Sequence, residues 1–73
     1  MEELTESEEF IFKWQYRALG QFKTALIEAI MLADDDNIAK LYLGFPNEID
    51  GYISYTQIPG WWKEVLRKVG KVK

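Results

Sequence analysis

Apolar side chains recur every four residues through the first half of this chain, and that recurrence constrains its fold more than any other feature. Phe10, Trp14, Ala18 and Phe22 fall on one line, with Ile11, Leu19, Leu26 and Ile30 beside them and Lys13, Arg17, Thr24 and Glu28 on the opposite side. A stripe of this spacing fits the 3.6-residue turn of an α-helix and not the alternation of a half-buried strand. Thr5 with Glu8 three residues on forms a capping-box pattern, and Glu6, Glu8 and Glu9 suit a first turn, so the helix is expected to start near residue 6. After Leu26 the pattern closes up to Leu26-Ile27-Glu28-Ala29-Ile30-Met31-Leu32-Ala33, which predicts a far end enclosed on most sides.

Read unbroken from residue 6 to residue 33, this helix would be about 42 Å long at 1.5 Å per residue. A globule of 73 residues is only about 30 Å across. Either Gly20 breaks the helix, or its first turns project and pack on another chain. The second is the expectation taken here, because Phe10, Ile11 and Trp14 would otherwise be exposed apolar surface. These three residues are therefore the candidate self-association seam.

The remainder reads as three short helices. Asp34, Asp35 and Asp36 offer an N-cap for a helix holding Ile38, Leu41 and Tyr42, and Gly44 stops it. Pro46 or Asn47 then opens a helix that runs to Gln57, with Ile49, Tyr52, Ile53 and Thr56 facing inward. Gly51 lies inside that helix at a cost of roughly 1 kcal/mol and marks a candidate close helix crossing. Ile58-Pro59-Gly60 is a turn, and Trp61 to Val69 forms the last helix, with Trp62, Leu66 and Val69 in one stripe, Val65 at its edge and Gly70 as the terminal cap. The expected fold is thus all-α: one long amphipathic helix followed by three short ones, in a single domain over residues 1–73 whose ends, 1–5 and 71–73, fray.

A chain this short has little core to stabilise it unless a disulfide, a metal or a partner subunit helps. It contains neither cysteine nor histidine, so disulfides and Cys/His zinc sites are excluded and association is the remaining means. The same lack removes the common nucleophile and base pairs of enzymes. Asp34-Asp35-Asp36 does not continue into a calcium loop, since the glycine and glutamate places of that pattern hold Ala39 and Phe45. The five glycines form no phosphate-binding motif. The reading is a non-enzymatic protein with no cofactor and no metal.

Charge is distributed by position. Glu2, Glu3, Glu6, Glu8 and Glu9 crowd the start, and Lys63, Arg67, Lys68, Lys71 and Lys73 crowd the end. Acids at the first helix N-terminus and bases at the last C-terminus complement the helix dipoles. With no basic, apolar leader pattern at the start and no apolar run long enough for a bilayer, a cytoplasmic location without membrane contact is expected.

Two segments suggest contacts. Residues 37–56 contain an imperfect helix-turn-helix, with Ala39 and Ile49 ten apart and Gly44 one place late; Glu48 and Asp50 stand where DNA contacts need positive charge, which argues against nucleic acid. Aromatics are 15% of the chain, more than a core this small hides. Trp61 and Trp62 point about 100° apart on a helix, so one of them is expected to be partly exposed. With Tyr52 and Tyr55 they make the candidate patch for a second protein.

The order of features, a long helix ending at Ala33-Asp34, then Asn37, Gly44-Phe45-Pro46-Asn47-Glu48, a tyrosine-bearing helix and Gly60-Trp61-Trp62, resembles small hypothetical proteins of tailed phages and prophages over residues 20–65. The resemblance implies a mobile-element origin and a host protein as partner, and it carries over no catalytic residues. The expected function is a homo-oligomer that binds and modulates a host protein. The alternatives are a DNA-binding regulator and a small-ligand binder with its pocket at an oligomer interface.

Overall fold

A computed structural model describes residues 2–71, which form five α-helices: α1 (Glu6–Gln15), α2 (Gln21–Leu32), α3 (Asp35–Gly44), α4 (Pro46–Gln57) and α5 (Trp61–Lys68). Among the described residues there is no strand, and no helix is long and apolar enough to cross a membrane. The all-α expectation holds, but the expected long helix is two helices.

The break lies at residues 16–20 and is made by the backbone. Arg17 N–H donates to Trp14 O (3.1 Å) and Ala18 N–H to Lys13 O (2.7 Å), with Arg17 at φ 56°. This is the Schellman ending of a helix, whose left-handed residue is usually glycine. Gly20, the break point in the alternative to projection, sits in ordinary extended backbone and precedes α2. The same ending recurs after α5, where Gly70 (φ 77°) donates to Arg67 O and Lys71 to Leu66 O. There the sequence shows the usual glycine.

Other ends follow local chemistry. Thr5 Oγ1 accepts from Glu8 N–H (3.1 Å) while Glu8 accepts from Thr5 N–H (2.9 Å), a complete capping box. Asp34 caps α3 by accepting from Asn37 N–H (2.9 Å), Pro46 opens α4, and left-handed Gly60 (φ 81°) leads into α5.

α4 is the hub, packing against α1, α2, α3 and α5. Its most intimate partner is α1. A Cβ at Gly51 would lie 2.7 Å from Ser7 O and 3.2 Å from Ile11 Cγ1, so the two helices cross at glycine distance. Ser7 Oγ donates to Asn47 O (2.8 Å), and Asn47 Nδ2 donates to the Glu6 carboxylate. Phe10 and Ile11 of α1, Leu26, Ile27 and Ile30 of α2 and Ile49 of α4 form the core. The expected projection of the first helix is therefore overturned: released from α2 by the Schellman turn, α1 lies back across α4 and buries Phe10 and Ile11 there. Within α4, Ile49 is buried and Tyr52 half-buried, but Ile53 and Thr56 are exposed. On α5, Val65 rather than its neighbours is fully buried, and both Trp61 and Trp62 are half-buried.

The start of the chain is held by its end. Glu2 N–H donates to Lys68 O (2.9 Å), Arg67 pairs with Glu2 (2.7 Å), and Lys68 Nζ donates to both Glu8 oxygens (2.8 and 3.0 Å). Residues 2–5, expected to fray, are thus tied to α5. Lys71 is likewise hydrogen-bonded, while Val72 and Lys73 of the expected frayed end lie outside the described residues. Glu8 is the buried acid of the fold; burial pushes its carboxyl up, and the hydrogen bonds from Lys68 and Thr5 outweigh this and hold it below the usual carboxylate range.

Two substitutions test this backbone. Gly51→Ala gains helix propensity of about 1 kcal/mol, but its methyl meets a backbone carbonyl that cannot step aside, and overpacking of this kind costs roughly 1–3 kcal/mol. A net loss in urea-unfolding stability is expected; a gain would show that α1 and α4 are not in close contact. Arg17→Gly relieves the left-handed strain and should raise stability by up to about 1 kcal/mol, measured in the same way.

Candidate functional site

Of the four aromatic residues expected to contact a partner, Tyr52, Tyr55 and Trp62 lie together, joined by others, while Trp61 packs separately against the core. Trp14 packs on Tyr55 edge to face (ring centroids 5.6 Å) and against Tyr52 (6.4 Å); Tyr55 packs edge to face on Trp62 (5.6 Å). Trp62 continues to Phe12 (6.4 Å) and Phe12 to Tyr16 (4.6 Å), over which Lys71 Nζ sits at 5.6 Å. Tyr52, Trp14, Tyr55, Trp62, Phe12 and Tyr16 thus form one ladder joining α1, α4 and α5. Except for Tyr16 these rings are half-buried, and Trp61 also packs against the core. Edge-to-face pairs each contribute roughly 0.5–1.5 kcal/mol beyond area burial. The ladder accounts for the surplus of aromatics as internal packing that fastens α5 to α1 and α4.

The expected self-association seam is dismantled by the same arrangement. Ile11 is fully buried and Phe10 is 4% exposed, both in the core, while Trp14 belongs to the ladder. Once α1 is covered by α4, no apolar stripe on it remains for another chain.

Large apolar side chains are exposed at Tyr16, Ile53 and Ile58, and most strongly on α2 and α3. Leu32 is 88% exposed, Leu43 86%, Phe22 66% and Met31 51%. α2 buries only Leu26, Ile27 and Ile30; its far end, expected to be enclosed, leaves Ala29, Met31 and Leu32 exposed, and Ala29 and Leu32 continue an outer face that begins at Phe22 and Ala25. An open groove of about 470 Å³ runs beside this face, lined by Ala29, Leu32, Ala33, Asn37, Lys40 and Leu41 from α2 and α3. Apolar residues at 22, 25, 29 and 32 alternate by three and four, the spacing of a helix-pairing seam. That signal was present in the sequence, hidden because the core residues of α2 interleave with it.

A polar cleft of about 380 Å³ is lined by Glu6, Glu9, Phe10, Lys13, Leu19, Lys23 and Glu48. Its Glu9 pairs with Lys13 (2.9 Å), which holds the carboxyl below its usual range, the wrong direction for a proton donor at neutral pH. Among the described residues no three acidic side chains gather as a metal would require. The helix-turn-helix segment forms helices α3 and α4 with Phe45 alone between them. Its would-be recognition helix is the central helix of the fold and carries no lysine or arginine.

Comparison with known proteins adds no kinship: no family model, no curated protein and no solved structure matches this chain.

If the outer face of α2 and the exposed Leu43 of α3 have no structural task, Leu32→Ser and Leu43→Ser should each change stability by less than about 0.5 kcal/mol. Ile27→Ala, on the buried side of α2, should cost about 2–5 kcal/mol. Equal losses in thermal melts of the Leu32 and Ile27 variants would mean that α2 is enclosed after all.

Proposed function

We propose that this protein is a non-enzymatic helical contact protein whose working surface is the outer face of α2 with the groove beside α3. One observation carries the reading: Phe22, whose ring packs against Phe45 (ring centroids 5.9 Å), and Leu32 stand largely exposed in line with Ala25 and Ala29, on a helix that buries Leu26, Ile27 and Ile30 on its other side. Soluble monomers seldom leave large apolar side chains aligned on an exposed helix face, and such faces mark interaction surfaces. A small chain gains stability by covering them.

The reading includes self-association, a protein partner and work in the cytoplasm. The resemblance to small phage and prophage proteins suggests a host protein as that partner. Regulation by DNA binding has less support, since α4 is central and carries no lysine or arginine. A small apolar ligand in the α2–α3 groove is the second reading, favoured by a volume of about 470 Å³, within the usual range for ligand sites.

Photo-cross-linking in cells that express the protein tests the surface. A photoreactive residue at position 32 should yield adducts with polypeptide, whereas the same residue at position 13, on the charged face of α1, should not. Background yield at position 32 would refute the proposal.

A further inference from the structure

We infer that the occupant of this face is a second copy of the chain, with α2 pairing antiparallel to α2 about a two-fold axis at the level of Ile27. The inference rests on the contact reading and names its partner.

The seam is self-complementary. Positions 22, 25, 29 and 32 are symmetric about 27, and their residues run large, small, small, large: Phe22, Ala25, Ala29, Leu32. Reversal about that centre sets Phe22 of one copy against Leu32 of the other and Ala25 against Ala29, in both directions at once. A two-fold interface requires a surface that fits itself in this manner. The two alanines permit close approach of the helix axes at the centre, and the three-four-three spacing keeps all four side chains on the seam. A parallel pair would set Phe22 against Phe22 and would leave the groove unfilled. In the antiparallel pair each Phe22 reaches the end of the partner helix where Ala29, Leu32 and Ala33 wall the groove.

The ends of α2 point the same way. α1 has acids in its first turn and a base in its last, and α5 also has both, but α2 has neither, and Gly20 gives it no side-chain cap. Antiparallel pairing brings the positive end of each α2 beside the negative end of the other, supplying the compensation the sequence omits.

Area sets the strength. A standard interface covers about 800 Å² per partner, roughly one-seventh of the 5282 Å² this chain exposes. Two large and two small side chains fall short of that without the groove, and Glu28 flanks the seam on the same side in both copies, adding like charge. The dimer is therefore weak, with a dissociation constant on the order of 10–100 µM.

Sedimentation velocity of the full chain between about 10 µM and 1 mM tests the pairing, with circular dichroism confirming that each variant stays helical. The wild type should pass from monomer to dimer, and Ala25→Lys and Ala29→Glu, both at exposed positions, should each remain monomeric. Mixed in equal amounts, those two variants should dimerise again, because the introduced lysine of one then faces the introduced glutamate of the other; a parallel register would bring no such pair together. A wild type that stays monomeric, single variants that still dimerise, or a mixture that does not recover would each overturn the inference. A monomeric wild type that nevertheless cross-links to a different polypeptide through position 32 would refute the pairing alone and leave the contact function standing.

Discussion

Gly51 of α4 lies against the backbone of α1 so closely that a methyl group there would sit 2.7 Å from the Ser7 carbonyl oxygen. Much of the fold follows from that crossing. At this separation Ile11 and Phe10 reach Ile49, α1 is fully engaged, and α4 becomes the helix that all others touch. A glycine inside a helix weakens the helix by itself; here that cost is offset by the contact it admits. The crossing also carries Trp14 over Tyr52 and Tyr55, which begins the aromatic ladder that reaches Trp62 on α5.

The two charged ends illustrate how one residue pattern can satisfy two demands. Glu8 closes the capping box of α1, as its local position requires, and also receives Lys68 from the far end of the chain. Arg67 binds Glu64 in its own helix and Glu2 at the opposite end of the sequence. The exposed pairs contribute little individually. Lys68 with Glu8 differs, because the carboxylate is buried and each of its bonds offsets desolvation that would otherwise oppose folding.

With α1 committed to α4 and α5 fastened by aromatic rings, the apolar content left over falls on α2 and α3. α2 is apolar on more than one side, yet a five-helix arrangement of this size covers only the side bearing Leu26, Ile27 and Ile30. Small chains bury a lower share of their surface than large ones, so some apolar area must remain outside. Leu32 and Phe22 on α2 and Leu43 on α3 are the most exposed of it.

Local chemistry was legible without the structure. Thr5 with Glu8, Asp34, Pro46, Gly60 and Gly70 mark helix ends through their own backbone preferences or short-range hydrogen bonds, and all of them act at the positions where the sequence puts them. Gly51 was legible as a crossing because no local reason explains a glycine there. The break after α1 was hidden: the Schellman turn places Arg17 where glycine is usual, and Ala18 and Phe22 continue the α1 stripe across the gap. The burial of Phe10 and Ile11 was hidden for a related reason. Periodicity shows that a helix has an apolar face, a property of one segment; which face is then covered depends on a second segment arriving from elsewhere in the chain. Tertiary packing alone decided that α1 would be covered by α4 and the outer face of α2 left open.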